Sequence, residues 1–330
     1  MHFVNSFLLF LTVVPIYSKH NPQPGWTEQA PIGRGPRQEE SVTALGTDMY
    51  IIGGIPQQLP YPTLDWVEVF STSSNEWRNA SSLPVTINHG NVATVDGRIY
   101  ILGGLNGTTD WLAIGDCYEY DPKHDTWKTL PPMPNDTARG ASAVGVHGST
   151  IYIAGGLVEL NLITGAQPTV ATVSSYNTRT QEWTTLPSLP EGRDHVGGAV
   201  IGHIFYVVGG RINGVPNVRN TVFAMDLTCS NKTWVEKATM PTARGGLSTG
   251  AIGCKIYTFG GEGDTAVVPN GVYDNVEVYD TVSDTWEKLP PMPFPRHGTN
   301  AASIGSKLHI PGGANVTGAG AQARNDFFQP

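Results

Sequence analysis

Five arginines stand at one fixed distance from a repeated mark in this chain. Arg37, Arg139, Arg193, Arg244 and Arg296 each lie 16 residues before the first glycine of an adjacent-glycine pair, and Ile87 takes that place before the remaining pair. The neighbouring positions add Gln38, Glu39, Asn88, His89, Asp194, His195 and His297. Guanidinium and imidazole groups at one register can donate hydrogen bonds to an oxygen on which negative charge develops, and an imidazole or carboxylate among them can move a proton. On that basis His89, His195, Arg193, Arg244 and His297 are expected as catalytic donors, with Arg37, Glu39, Arg139 and Arg296 as substrate contacts. No metal is expected. His89, His195 and His297 come from alternate copies of the repeat, His297 at a different register, and would have to converge to ~2.0–2.1 Å from one ion. No organic cofactor is expected either: the sequence has no nucleophile elbow, no HExxH and no phosphate-cradling glycine loop, and Gly318-Ala319-Gly320 is merely flexible.

The elements that must position these residues are written in the repeat itself. Adjacent glycines recur at Gly53-Gly54, Gly103-Gly104, Gly155-Gly156, Gly209-Gly210, Gly260-Gly261 and Gly312-Gly313, in steps of 50, 52, 54, 51 and 52 residues. Each pair closes an apolar strand such as Tyr50-Ile51-Ile52 or Tyr206-Val207-Val208, with a degenerate last copy at His309-Ile310-Pro311. One tryptophan falls between successive pairs (Trp77, Trp127, Trp183, Trp234, Trp286), and Trp26 precedes the first. An aromatic residue stands ahead of each of these five, as in Tyr120-Asp121 and Tyr279-Asp280, and runs such as Leu130–Pro134 follow. A period of this length marks a repeat architecture.

Each copy reads as four short antiparallel strands: a small-residue strand before the glycines, the Tyr-apolar strand ending in them, an alternating strand such as Val276-Glu277-Val278-Tyr279, and the Trp strand. A four-stranded sheet of this size cannot cover both its faces alone, so neighbouring copies must do it. Small residues such as Gly140-Ala141-Ser142-Ala143 suit a crowded central axis. The pattern is similar to that of the kelch-repeat β-propellers from Trp26 onward. The resemblance implies an all-β, single six-bladed propeller over residues 19–330. Trp26 is a fourth strand with nothing before it, and Asn325–Phe328 is a third strand with nothing after it. The N-terminal strand is therefore expected to close the last blade, which removes two exposed sheet edges. The resemblance also implies a second role for the arginines, bonding neighbouring backbone carbonyls.

In such a blade the start of the first strand and the end of the second lie at one end, so two loop sets share a face. The set after the glycines is long in every copy and carries apolar residues: Tyr61, Leu64 and Trp66, then Trp111 and Leu112, then Leu157, Leu160, Leu162 and Ile163. Tight hairpins would connect these strands, so the extra length asks for a purpose. Tyr61, Trp66, Trp111 and Leu160 are expected to roof a pocket for a mostly apolar small molecule with a few polar atoms.

Composition narrows the remaining classes. With 39 Gly, 25 Pro and 15% charged residues the chain is turn-rich and strand-rich, and a net charge of -8 with no basic run argues against a nucleic-acid or anionic-membrane partner. Residues 1–18, with an apolar run from Phe7 to Val14, have the shape of a signal peptide and are too short to span a bilayer. Secretion, or residence in the lumen of the secretory pathway, is therefore expected. Five Asn-X-Ser/Thr sites, at Asn79, Asn106, Asn135, Asn231 and Asn315, fit that route. Of the three cysteines, Cys229 and Cys254 lie in turns of adjacent blades at the end away from the arginines and are expected to bond, leaving Cys117 as a buried thiol.

The chain further resembles the fungal secreted kelch-like proteins that act as hetero-Diels-Alderases. This resemblance implies a monomeric pericyclase joining a tropolone-derived quinone methide to a macrocyclic terpene. Such a reaction needs neither metal nor nucleophile, because a pocket that holds two partners in register removes much of the entropic barrier. A non-catalytic extracellular module for glycan or protein, and an enzyme similar to the sialic-acid mutarotases, are the alternatives. The latter would have a more polar pocket.

Overall fold

The computed structural model describes residues 25–330, so the expected signal segment lies outside the described residues. The chain forms six four-stranded antiparallel blades around one axis, apart from small accessory pairings on one face. Blade 1 comprises Ser41–Leu45, Asp48–Ile52, Val67–Ser71 and Glu76–Ala80. Blades 3, 4 and 5 repeat this plan with first strands Ala143–His147, Gly197–Ile201 and Ser248–Ile252. Blade 2 differs: its second and third strands, Arg98–Asn106 and Asp110–Asp121, run on past the blade as a ribbon that shifts register between Ile114 and Cys117. Among the described residues no helix is long and apolar enough to cross a membrane.

Blade 6 is made from both ends of the chain. Gly25–Glu28 pairs antiparallel with Asn325–Gln329, with Trp26 opposite Phe328 and Thr27 opposite Phe327, as the sequence led us to expect. Trp26 then packs edge-on against Phe259 of blade 5, with ring centroids 5.6 Å apart. The other tryptophans explain why the repeat keeps one per blade. Each of the five repeat tryptophans lies against an aromatic ring of the core, and its indole N–H donates to a carbonyl preceding its own blade's first strand: Trp77 to Ala30 at 2.9 Å, Trp127 to Ser81 at 2.9 Å, Trp183 to Pro131 at 3.5 Å, Trp234 to Pro187 at 2.9 Å and Trp286 to Ala238 at 2.8 Å. Apolar clusters likewise bridge neighbouring blades, as where Tyr152 and Val173 meet Phe205 and Val207. Removing residues 19–30 should therefore lower the thermal unfolding temperature of the whole ring by opening edges in blade 6. An unchanged transition would contradict the closure.

Cys117 is buried, and burial pushes its thiol up to about 12, as suits an inert core residue. The bond expected between Cys229 and Cys254 is not formed: both are exposed free thiols. Of the five Asn-X-Ser/Thr asparagines, Asn79, Asn135, Asn231 and Asn315 are exposed and Asn106 is half-buried.

Candidate functional site

None of the five arginines lines the cavities on the propeller axis. All five are buried, and each ties the second strand of its blade, or the glycine turn that ends it, to the third strand or the residue before it. Arg139 donates to Gly155 O at 2.8 Å, Ile153 O at 3.0 Å and Ser174 Oγ at 2.8 Å. Arg37, Arg244 and Arg296 meet buried carboxylates at the equivalent third-strand place, Glu68, Glu277 and Asp326. Arg193 lies over the Phe223 ring at 5.1 Å and donates to Gly209 O at 2.9 Å. Blade 2, which lacks the arginine, has Ile87 instead. The expected catalytic roles of Arg193 and Arg244, and the substrate contacts expected of Arg37, Arg139 and Arg296, are thus overturned: a guanidinium needs several acceptors once desolvated, and each blade supplies them internally.

The register that faces the axis lies two residues further on. Glu39, His89, Ala141, His195, Gly246 and Gly298 occupy equivalent places in the six blades, and all six have positive φ, between 47° and 64°. Their backbones form a collar around the axis. Glu39 N–H donates to Gly298 O at 2.6 Å, His89 to Glu39 O at 2.9 Å, Ala141 to His89 O at 2.9 Å, Gly246 to His195 O at 2.8 Å and Gly298 to Gly246 O at 3.0 Å. Glycine meets this conformation without penalty, whereas other residues pay roughly 1–2 kcal/mol. Glu39, His89 and His195 are therefore held in strained backbone where the repeat accepts glycine, a pattern associated with functional sites.

The collar is the floor of a cup that opens on the long-loop face. Its lining includes Ile55, Tyr61, Trp111, Leu160, Leu162 and Val215 on the apolar side and Glu39, His89, His195, Arg211, Glu262 and His297 on the polar side. Its cavity volume is about 150 Å³, below the ~300–1,000 Å³ usual for drug-sized ligands, so a larger ligand would extend through the open mouth between the long loops. The apolar wall is built by the ribbon of blade 2, which pairs with Glu159–Asn161 of the blade 3 loop so that Trp111 stands opposite Leu160. Both pack on Ile55, Leu105 and Leu157. Trp66 takes no part in the wall; its ring is covered by the Arg34 guanidinium at 3.8 Å.

Sequence reasoning missed two of the polar residues, Arg211 and Glu262. Each directly follows a glycine pair, where it reads as the first residue of a loop. In the fold this residue pairs with the one after the arginine position: Gln38 with Ile55, Asn88 with Leu105, Gly140 with Leu157, Asp194 with Arg211, Gly245 with Glu262 and His297 with Ala314. The series Ile, Leu, Leu, Arg, Glu, Ala down the six repeats was the signal available, apolar in the first three blades and charged in the next two.

Arg211 ties the floor together. Its Nε donates to Asp194 Oδ1 at 3.0 Å, its Nη1 to Glu262, and its Nη2 to Gln167 Oε1 at 3.0 Å and to His195 Nε2 at 3.1 Å. His89 Nε2 lies 3.1 Å from Glu39 Oε2 and 3.0 Å from His195 Nε2. His297 Nε2 reaches Val316 O at 2.9 Å, while its Nδ1 faces Glu262 Oε2 at 3.5 Å.

Burial opposes ionisation of Glu39, yet the His89 imidazole beside it, with His195 and His297 beyond, holds its carboxyl well below the usual range. Glu262 is lowered in the same way, with burial offset by His297 and Arg211. Burial and the neighbouring Arg211 charge push His195 down. Beneath the collar, burial raises Glu40 to about 8, and neither of its oxygens has a hydrogen-bond partner. The floor thus joins proton-transfer groups to a fixed cation, facing an apolar wall across one cavity.

Residues 162–319 match the KLHDC2/KLHL20/DRC7 Kelch-repeats domain, and residues 41–84 and 88–134 match the Kelch motif. Kelch-like protein terF of Aspergillus terreus is 41% identical over 303 residues, covering 89% of this chain and 65% of that protein. Alpha-scruin of Limulus polyphemus is 28% identical over 244 residues, 72% of this chain and 26% of that protein. The chain therefore spans under two thirds of the length of these curated relatives. A solved structure, "Structure of YjhT", superposes with a TM-score of 0.74 at 17% identity, over 90% of this chain and 95% of that one, which shows the shared fold. With six glycine-paired blades and kelch matches over most of its length, the chain belongs to the kelch-repeat family.

Proposed function

We propose that the cup is the active site of a pericyclase that joins a tropolone-derived quinone methide to a terpene by a hetero-Diels-Alder cycloaddition. The observation that carries this reading is the division of one cavity into an apolar wall (Ile55, Trp111, Leu160, Leu162) and a charged floor (Glu39, His89, His195, Arg211, Glu262, His297). The two partners have matching halves. A hydrocarbon macrocycle lies against the wall, and the oxygenated ring meets the floor. An imidazole and carboxylate pair, His297–Glu262, serves the preceding dehydration. One group protonates the departing hydroxyl, the C–O bond breaks and water leaves, while the partner takes the ring hydroxyl proton. The resulting heterodiene then forms one C–C and one C–O bond with the alkene, with no further reagent. Arg211 stabilises charge on the ring oxygen, and the wall supplies orientation.

A sugar site, as in a mutarotase-like enzyme or a glycan-binding module, would be polar on most sides; here Gln38, Tyr61 and Gln167 add polar groups, while Ile55, Trp111, Leu160 and Leu162 leave one wall apolar, which favours a partner with a hydrocarbon face. Trp111→Ala tests the division of labour. Loss of a buried aromatic contact should weaken binding of the apolar partner roughly tenfold or more while leaving affinity for the oxygenated partner within about twofold. Equal losses for both, measured by titration calorimetry, would contradict the reading.

A further inference from the structure

The hydrogen positions on the floor lead to one conclusion beyond the cup's shape. Thr63 Oγ1 donates to Gly107 O at 2.6 Å, so it must accept from Asn88 Nδ2 at 2.8 Å, which turns Asn88 Oδ1 toward His89 Nδ1 at 2.6 Å. That nitrogen therefore carries the hydrogen. Asp194 Oδ1 fixes the hydrogen of His195 on Nδ1 in the same way, at 2.7 Å. In the neutral rings both Nε2 atoms then carry lone pairs. They point at each other across 3.0 Å, with Glu39 Oε2 3.1 Å from the first. Three acceptors converge, and among the described residues Arg211 Nη2 offers the one hydrogen, to His195 Nε2, a bond that an ion bound there would displace.

Imidazoles whose Nδ1–H is held from behind by a carbonyl or carboxylate, with Nε2 turned inward, have the support typical of metal ligands. Donor atoms around an ion at ~2.0–2.1 Å and angles of 90–109° stand about 2.9–3.4 Å apart; the two distances from His89 match, and the three donor atoms lie within 4.8 Å of one another, so Glu39 and His195 draw together by side-chain rotation to share one ion. Charge points the same way. Glu39, Asp194 and Glu262 face the single guanidinium of Arg211, which leaves the buried floor two negative charges over when its imidazoles are neutral.

We propose that Glu39, His89 and His195 bind one divalent first-row transition-metal ion, Zn²⁺ in the first instance, with its open positions toward the cup. His89 and His195, expected from sequence not to share a metal, meet because they occupy the same collar register, and Glu39 replaces His297 as the third ligand. The ligand class for the open positions rests on the function proposed above: the adjacent oxygens of a tropolone-type ring form a bidentate chelator. The ion then polarises the ring carbonyl as a Lewis acid, while His297–Glu262 remains to move protons.

The test uses the full chain, stripped with a chelator, refilled with Zn²⁺ or Co²⁺ and desalted. Elemental analysis should find about one equivalent per chain, and Co²⁺ should give visible ligand-field absorption. His89→Gly/His195→Gly should retain no stoichiometric metal. Glycine already occupies this collar place in Gly246 and Gly298, so the double variant should keep the near-ultraviolet dichroism of the fold. Failure of the unaltered chain to retain metal, or equal retention by the folded double variant, overturns the site. A stripped chain that holds no metal yet accelerates the coupling overturns the metal alone, and a loaded chain that accelerates no coupling overturns the function and leaves the site.

Discussion

Arg244→Ala should destabilise the propeller strongly. Arg244 and Glu277 are both fully buried, and Nη1 donates to Glu277 Oε2 at 2.6 Å while Nη2 donates to Thr258 Oγ1 at 2.8 Å. Truncation leaves the Glu277 carboxylate in the blade with Thr242 Oγ1 as its side-chain donor, at 2.7 Å. Removing one partner of a buried ion pair costs ~3–5 kcal/mol, on the order of 10 °C in a chain of this size. Replacing both partners, Arg244→Met with Glu277→Leu, should recover much of that loss, because no charge then stays buried. Thermal denaturation followed by circular dichroism reads both variants. An Arg244→Ala protein that melts with the unaltered chain would show that the arginine register serves something other than the fold.

Arg211→Met should be the most damaging single change for activity. Arg211 is buried and uses its whole fork, with Asp194, Glu262, Gln167 and His195 each taking a bond. Its removal unpairs two carboxylates and takes the fixed cation from the oxygenated partner. Loss of a preorganised donor of this kind lowers rate by about 10²–10³-fold. Arg211→Lys should fall nearly as far, since an ammonium cannot reproduce the planar fork that spans the two acids. Single-turnover kinetics with saturating partners checks this, beside a melting curve to confirm that the protein is folded. A lysine variant at full rate would reduce the role of Arg211 to simple charge balance.

The two variants separate what the repeat spelled out from what it concealed. The blades, their number and the closure of blade 6 were legible because the glycine pairs and tryptophans recur in all or nearly all copies and have one physical use each. Regularity misled at the arginines for the same reason. A residue kept in five blades of six is serving each blade, and Glu68, Glu277 and Asp326 on the third strands were its visible partners. The candidate site lies instead where the six copies disagree. Glu39, His89 and His195 share a register with Gly246 and Gly298, and Arg211 and Glu262 share one with Ile55 and Leu157. His89, His195, His297 and Glu39 were found because they neighbour the arginines. Tyr61, Trp111 and Leu160 were found because apolar residues in long loops demand burial, and Trp66 failed that logic because Arg34 covers it locally.

The central claim, that the cup couples an oxygenated heterodiene to a terpene, is tested most directly by incubating the purified protein with a tropolone-derived quinone methide precursor and a macrocyclic terpene alcohol. Adduct formation and its enantiomeric excess are followed by chiral chromatography. The account predicts adduct at a rate well above the uncatalysed background, with one enantiomer dominant, and the loss of both in Arg211→Met. Racemic adduct at the background rate, identical with and without the protein, would contradict it.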